Sequence, residues 1–282
     1  MVTLRRAGIL ALALALFVPA AGAAAAAPSR IVSLSPTATE DLFAIGAGKQ
    51  VVAVDNDSNY PANAPHTKLS GYTPNAEAIA GYNPDLVVIS NDLGGIRNAL
   101  ARLHIRVLLE PAATTLAGAY QQIQALGTAT GHVRQAGAVV ATMRRQIASI
   151  AASVPHASPR LTVFHELDPT LYSATSKTFI GRIYMLLGLK DIADKAKSGN
   201  GYPQLSPEYV VGARPDLIVL ADGQTPAQVA KRAGWSTIPA VQRHDVLTVN
   251  PDIASRWGPR IVDFVRVVAA RVKAIEAGGG HA

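Results

Sequence analysis

Cysteine is absent from this sequence, and aromatic and charged residues are scarce. Of its 282 residues none is cysteine, 5% are aromatic and 16% are charged. The lack of cysteine excludes disulfide bonds, thiol chemistry and a lipid-bearing cysteine after a leader segment. No basic run is interleaved with aromatics, so the net charge of +7 points only to an anionic ligand or surface and not to nucleic acid.

Catalytic and metal-binding motifs are missing as well. The sequence has no G-x-S-x-G, H-E-x-x-H or P-loop motif, and its seven histidines lack the spacing of metal ligands. We therefore predict no catalytic residue, no cofactor and no bound metal. Two minor alternatives are a zinc-binding protein, in which His165 faces a cleft with Glu166 and Asp168, and an exported α/β enzyme.

The N-terminal residues have the pattern of a secretory signal peptide. Arg5 and Arg6 precede an apolar stretch at 7–18, and small residues follow. The apolar stretch is shorter than the roughly 20 residues that span a bilayer. We expect a signal peptide at 1–27 and a soluble mature protein in the periplasm. Without the arginine pair, 24 basic residues face 19 acidic ones, a net charge of +5.

A long motif occurs twice. Residues 71–90 read GYTPNAEAIAGYNPDLVVIS, and residues 201–220 read GYPQLSPEYVVGARPDLIVL. In each copy a glutamate, Glu77 or Glu208, lies seven residues before a Pro-Asp-Leu that opens an apolar run. In the first turn of a short helix, either carboxylate would oppose the helix dipole. Their equal offsets predict two similar lobes and favour a further role as a pair of docking charges.

Strand and helix patterns alternate along the first lobe. A short apolar strand at 31–34 precedes a helix that Thr37 and Glu40 would open with a capping box, and a second strand follows. Further apolar strands are predicted at 86–89 and 105–109. This order predicts a parallel α/β sheet whose strands are buried on both faces.

A long helix, predicted at 132–154, leads to a second lobe with the same alternation and with loops at 190–206 and 250–260. We therefore predict an α/β protein of two Rossmann-like lobes with parallel sheets, joined by one long rigid helix. The predicted divisions are a signal peptide at 1–27, an N-terminal lobe at 28–130, a linker helix at 131–157 and a C-terminal lobe at 158–282.

Loops at one edge of the sheets supply the candidate binding residues. Ligands of open α/β sheets bind outside the carboxyl ends of the strands, where the Ser35-Pro36 loop and others leave the sheet. Five loop aromatics would line a cleft there or pack on their own lobe. They are Tyr60, Tyr72, Tyr172, Tyr202 and Trp257.

Asp252 and Arg256 lie four residues apart beside Trp257. They would hold a polar, partly anionic ligand through charge-assisted hydrogen bonds or, alternatively, brace their own loop. Ser35 would donate to an anionic group or cap the helix that follows it. The sequence leaves both pairs of alternatives open.

These segments resemble a known family, the periplasmic substrate-binding proteins that serve ABC importers in cobalamin, haem and iron–siderophore uptake. The matching stretches are RIVSLSPTATEDLFAIG (30–46), YPANA (60–64), EAIAGYNPDLVVIS (77–90), GYPQLSPEYVVGARPDLIVL (201–220) and SRWGPRI (255–261). They sample the whole mature chain in order, and the two E-x6-PDL units are the most specific. The chain looks most similar to the cobalamin binders.

The resemblance implies a cleft that closes only slightly around its ligand. The family's ligand contacts map onto Tyr60, Tyr202, Asp252 and Arg256. Its permease-docking glutamates, which engage arginines of the membrane permease, map onto Glu77 and Glu208. Tyr72 and Tyr202 stand where cobalamin binders often carry Trp. We expect a monomeric, non-enzymatic protein that captures a corrinoid, with a ferric siderophore or haem as the alternative ligand.

Overall fold

The computed structural model describes residues 27–155, 160–197 and 199–278. The expected signal peptide lies outside the described residues, apart from its last position. Within the described ranges, no helix combines the length and apolarity that a membrane crossing needs. Two four-stranded parallel sheets form the frame of the molecule. The predicted fold of two α/β lobes is therefore confirmed.

The sheet of the N-terminal lobe has the strand order β2-β1-β3-β4. Its strands are β1 (Ile31–Leu34), β2 (Val51–Val54), β3 (Leu86–Ile89) and β4 (Val107–Leu109). The helices of this lobe are α1 (Pro36–Ala44), α2 (Ala76–Ala80), α3 (Ile96–Arg102) and α4 (Leu116–Thr130). Strands β1 and β3 are buried throughout, as predicted. The prediction is wrong for β4, which is half-buried because it lies at the edge of the sheet.

The sheet of the C-terminal lobe has the equivalent order β6-β5-β7-β8. Its strands are β5 (Thr162–Glu166), β6 (Lys190–Asp191), β7 (Leu217–Leu220) and β8 (Val246–Thr248). The helices after α4 are α5 (Val133–Ala152), α6 (Phe179–Leu186), α7 (Pro207–Ala213), α8 (Pro226–Ala230), α9 (Pro239–Gln242), α10 (Pro251–Ser255) and α11 (Ile261–Gly278). The matching strand orders agree with two lobes built on one plan.

Helix α5 joins the two lobes. It has 20 residues, about 30 Å at a rise of about 1.5 Å per residue. Its buried residues Ala136, Val140, Met143 and Ile147 recur every third or fourth position and form one apolar stripe. The helix packs against α4 of the first lobe and α11 of the second. This packing on both sides makes α5 the strut that the sequence predicts.

The aspartate of each repeated motif ties two neighbouring strands together. Asp85 accepts hydrogen bonds from the Ser29 and Arg30 N–H groups, directly before β1. Asp216 accepts equivalent bonds from the N–H and the hydroxyl of Thr162, where β5 begins. Each aspartate precedes the central strand β3 or β7, so it fixes the start of that strand beside the first strand of its lobe. The repetition of Pro-Asp-Leu is thus explained by the fold.

Three local predictions are wrong. Segment 190–206 begins with β6, a two-residue strand too short to show a hydrophobic pattern. Segment 250–260 contains α10, because the Asn250 side chain accepts a hydrogen bond from the Asp252 N–H at 2.8 Å and proline suits the first helical position. Thr37 and Glu40 form no capping box; instead, the Ser35 hydroxyl caps α1 by accepting a bond from the Ala38 N–H.

Candidate functional site

A cavity of about 420 Å³ opens between the N-terminal lobe and the segment that follows β8. Its walls come from the residues directly after β1, β2, β3 and β8, the carboxyl ends of parallel strands where such sheets bind ligands. Six predicted ligand residues line this cleft cavity: Ser35, Pro36, Tyr72, Asp252, Arg256 and Trp257. Six further lining residues were not predicted from the sequence: Thr37, Asn56, Asp57, Asn59, Ser90 and Ser255.

Arg256 connects the two sides of the cleft cavity. Its guanidinium donates to Glu40 Oε1 at 2.8 Å and to Asn59 Oδ1 at 2.8 Å. It also donates to the Asp57 carbonyl at 3.0 Å and to Asp252 Oδ1 at 2.9 Å. The side chain is only 8% exposed. Both terminal nitrogens are therefore engaged by the protein, and Arg256 braces this site, including its own loop through Asp252.

Asn59 closes the same network from the N-terminal lobe. Its Nδ2 donates to Asp252 Oδ2 at 2.8 Å while its Oδ1 accepts from Arg256. One short loop of the first lobe is thereby bonded to both charged residues of the segment after β8. These bonds cross between the lobes and hold the wall of the cleft cavity in a defined shape.

Tyr60 and Tyr202 do not line the cleft cavity. The Tyr60 ring lies 4.1 Å from the guanidinium carbon of Arg260 in a cation–π contact. Tyr60 and Arg260 line a separate cavity of about 320 Å³, and Glu40 also lines it. Glu40 of this second cavity is ion-paired with Arg256, which lines the cleft cavity. Tyr202 lies in the C-terminal lobe with 38% of its surface exposed. Ligand contacts by these two tyrosines stay predictions.

Trp257 forms part of the wall of the cleft cavity and is held there by a contact that the sequence does not reveal. Its indole Nε1 donates to Oε1 of Gln122 in α4 at 2.6 Å. The ring lines the cleft cavity on one side and a narrow interior gap on the other, and Ser35 and Thr37 line both spaces. No motif in the sequence pairs Gln122 with a residue 135 positions later, so only the fold identifies it.

Two buried carboxyl groups line that interior gap, Asp41 of α1 and Glu110 after β4. Burial raises the pKa of Glu110 to about 7. Burial, together with the neighbouring carboxylates of Glu40 and Glu110, raises the pKa of Asp41 well above its usual range. Asp41 Oδ1 has no hydrogen-bond partner in the described part of the chain. The gap therefore favours the neutral, protonated forms of both acids.

The alternative of a zinc site in the second lobe placed His165 and Glu166 in a cleft, and the structure buries both side chains inside the lobe. His165 is 0% exposed, packs against Phe264 and is hydrogen-bonded through Nδ1 to the Tyr184 hydroxyl at 2.6 Å. Burial lowers the pKa of His165 to about 4. Glu166 is bound by Arg232. Neither side chain lines the cleft cavity, and the described ranges contain no cluster of three possible metal ligands.

Glu77 and Glu208 occupy equivalent exposed positions. Each is the second residue of its helix, α2 or α7, behind the side-chain caps Asn75 and Ser206. A helix that feeds a parallel strand runs antiparallel to it, so both first turns lie at the carboxyl edges of the sheets, on the side of the cleft. Neither glutamate lines the cleft cavity. Both carboxylates are exposed.

The chain is similar to known proteins over most of its length. Residues 31–253 match the family model described as "Periplasmic binding protein". The chain is 33% identical over 251 residues to a cobalamin-binding protein of Halobacterium salinarum, covering 84% of this chain and 67% of that protein. It is 31% identical over 254 residues to an uncharacterised ABC transporter substrate-binding lipoprotein of Bacillus subtilis, covering 87% and 80%.

Solved structures share the architecture. The periplasmic vitamin B12-binding protein BtuF of Vibrio cholerae matches with a TM-score of 0.74 and 25% identity, covering 88% of this chain and 98% of that chain. The periplasmic heme-binding protein HutB of the same species matches with a TM-score of 0.77 and 21% identity, covering 86% and 97%. At that identity the second likeness concerns the fold alone.

Proposed function

We propose, from the premise that the chain belongs to the periplasmic binding protein family, that this protein captures a corrinoid in the cleft cavity and delivers it to an ABC importer. It acts outside the cytoplasm as a monomeric, non-enzymatic carrier, exported by the signal peptide at 1–27. Its lobes extend over 28–130 and 158–282, with the linker at 131–157. The relatives named as cobalamin-binding proteins support this choice of ligand.

The class of ligand is inferred from the chemistry of the cavity wall. The wall is rich in hydroxyl and amide groups, including Asn56, Ser90 and Ser255. Arg256 is the one cation among its lining residues in the described chain, and both its terminal nitrogens are already engaged by the protein. Such a wall suits an uncharged ligand with many hydrogen-bonding groups, and a corrinoid carries carboxamides around its ring.

An anionic chelate suits this wall less well. The propionates of haem would lie beside the carboxylates of Asp57 and Asp252 without an uncommitted cation among the described lining residues. Buried carboxylates without a partner are strongly disfavoured. Haem and carboxylate siderophores therefore suit this wall less well than a corrinoid does.

Delivery is assigned to Glu77 and Glu208. Both are exposed, both lie in first helical turns at the carboxyl edges of their sheets, and their spacing from the following strand is the same. In this proposal each lobe of the protein presents one carboxylate, and each carboxylate binds an arginine of the permease. The cleft then faces the membrane protein.

Thermal unfolding with candidate ligands tests the proposed ligand. A ligand at about 100 times its dissociation constant adds ~2.7 kcal/mol to the free energy of unfolding. For lobes of this size the melting temperature then rises by roughly 5–10 °C. We expect this rise with cyanocobalamin and cobinamide and none with hemin. A rise with hemin or a ferric hydroxamate, and none with either corrinoid, would transfer the proposal to the alternative ligand class.

A further inference from the structure

The hydrogen bond between Gln122 and Trp257 has only one possible polarity. The indole Nε1 is a donor only, so it requires Oε1 of Gln122 as acceptor, 2.6 Å away. The Gln122 Nε2 group then donates to the Pro111 carbonyl, which is an acceptor only. A reversed amide would place donor against donor and acceptor against acceptor. The Gln122 side chain is therefore fixed at both ends.

The backbone around Trp257 is held separately from its ring. Trp257 lies in the non-helical stretch between α10 and α11, and the next residue is Gly258. A Cβ atom at Gly258 would lie 3.1 Å from Asp41 Oδ1, so this stretch packs closely on α1. That packing sets the position of the backbone, and the ring itself packs against the hydrophobic core. The bond to Gln122 adds a directional constraint on the polar edge of the indole, which apolar packing does not supply.

We infer that Gln122 is a positioning residue for ligand binding: it orients Trp257 as a wall of the cleft cavity and thereby raises affinity without touching the ligand. Gln122 lines the interior gap and not the cleft cavity, whereas Trp257 lines both. The inference rests on the proposed function in that the ligand occupies this cavity. It adds a residue from α4, an element that supplies none of the ligand contacts expected from the sequence.

The ring oriented by Gln122 also separates two chemically different spaces. On one side lies the polar cleft cavity, and on the other lie Asp41 and Glu110. A rotated indole would open a path for water from the cleft to these buried acids. Gln122 thus holds a ring that lines both the cleft cavity and the gap behind it.

The test combines affinity with a direct report on the indole. In Gln122→Leu, which has similar bulk but no acceptor, we expect the dissociation constant for cyanocobalamin to rise about tenfold, the effect of one lost hydrogen bond. Gln121→Leu, on an exposed position of the same helix, is the matched control and leaves affinity unchanged. The indole N–H resonance of Trp257 should shift in Gln122→Leu, and that of Trp235, buried in the other lobe, should not.

A double-mutant cycle separates positioning from general support of the fold. In a Trp257→Phe background, where the indole donor is gone, Gln122→Leu should change affinity by less than about twofold, since the bond through which Gln122 orients the ring is already absent and only its bond to the Pro111 carbonyl remains to be lost. An equal loss in both backgrounds would show that Gln122 does not act through Trp257 and would overturn the inference. So would wild-type affinity in Gln122→Leu.

Two readouts keep the inference independent of folding and of the ligand. In the wild-type protein the Trp257 indole proton should exchange slowly with solvent; rapid exchange contradicts the bond even if Gln122→Leu does not fold. If cyanocobalamin does not bind the wild type, the proposed ligand fails. The position of the Trp257 resonance in Gln122→Leu then decides the inference alone: a shift supports it and an unchanged resonance overturns it.

Discussion

Arg256, near the end of the chain, donates a hydrogen bond of 2.8 Å to Glu40 in the first helix, and this bond joins residues 216 positions apart. Glu40 also accepts from Arg260 at 2.8 Å, so one buried carboxylate holds two guanidinium groups. These bonds hold the segment after β8 against the N-terminal lobe. Arg256 also lines the cleft cavity, so the shape of the cavity depends on these bonds.

Replacement of Arg256 by Ala should lower both stability and affinity. The change removes one of the two cations bound to the buried Glu40, and breaking a buried ion pair is more damaging than losing an exposed one. Because Arg260 remains, we expect a loss of about 1–3 kcal/mol in the free energy of unfolding, measured with urea. The dissociation constant should rise as well, because Asp252 and Asn59 lose their common partner.

Arg266→Ala is the control for that change. Arg266 pairs with Asp263 on the exposed face of α11, where both side chains are 53% exposed. Its removal should change the free energy of unfolding by less than about 1 kcal/mol. If Arg256→Ala weakens binding while stability stays at the wild-type value, Arg256 contacts the ligand directly and the bracing role is wrong.

Glu110→Gln should remove a pH-dependent loss of stability. Burial raises the pKa of Glu110 from 4.5 to about 7 in the folded protein. The unfolded chain therefore releases this proton first, and the folded state loses stability as the pH rises from about 4.5 to about 7. The neutral glutamine has no such loss. At about pH 8 the variant should be more stable than wild type by up to about 3 kcal/mol, and near pH 4 the difference should vanish.

Urea unfolding at several pH values measures this effect. Asp263→Asn, which removes an exposed carboxylate, should leave the shape of the stability–pH profile unchanged. A Glu110→Gln profile that runs parallel to that of the wild type would mean that water or a cation solvates Glu110, contrary to its position in a narrow gap behind Trp257.

Tyr72→Ala should weaken binding without affecting the fold. Tyr72 is 73% exposed and lines the cleft cavity, so it contributes little to the core. We expect a change in stability within about 0.5 kcal/mol. The loss of an aromatic contact with the ligand should raise the dissociation constant by about three- to tenfold. Unchanged affinity, measured by calorimetry, would remove Tyr72 from the site.

Reversal of Glu77 and Glu208 to Lys should abolish uptake and leave ligand affinity unchanged. Neither side chain reaches the cleft cavity, but like charges would then face the proposed permease arginines, which costs several kcal/mol. Transport is measured in cells or vesicles that contain the importer, and the double variant should be more impaired than either single one. Asp263→Lys controls for an added positive charge. Full uptake by the double variant at normal expression would reduce both glutamates to helix-stabilising residues.

Local signals in the sequence account for the elements that were predicted correctly. The two Pro-Asp-Leu motifs open β3 and β7, and both are continuous apolar strands, as buried parallel strands should be. The apolar stripe of α5 has a clear helical period. Such patterns depend on neighbours in the chain, so the fold of two lobes follows from them.

The contacts that shape the site could not be found in this way. Gln122 and Trp257 are 135 positions apart, and Arg256 and Asn59 are 197 positions apart. Their meeting depends on how the segment after β8 crosses to the first lobe, which no periodicity records. The sequence did identify Asp252, Arg256 and Trp257 as a candidate group. It could not show that Arg256 is already engaged by Glu40, or that Tyr60 stacks on Arg260 in a neighbouring cavity.

Competition dialysis tests the central claim most directly. The protein is placed on one side of a membrane, and an equimolar mixture of cyanocobalamin, hemin and a ferric hydroxamate is free to equilibrate across it. The absorption spectrum of the protein compartment then reports which chelate has accumulated, because the three differ in colour. We predict enrichment of the corrinoid alone, and less of it with Tyr72→Ala. Enrichment of hemin or of the hydroxamate, or of none of the three, would contradict the assignment of this cleft to a corrinoid.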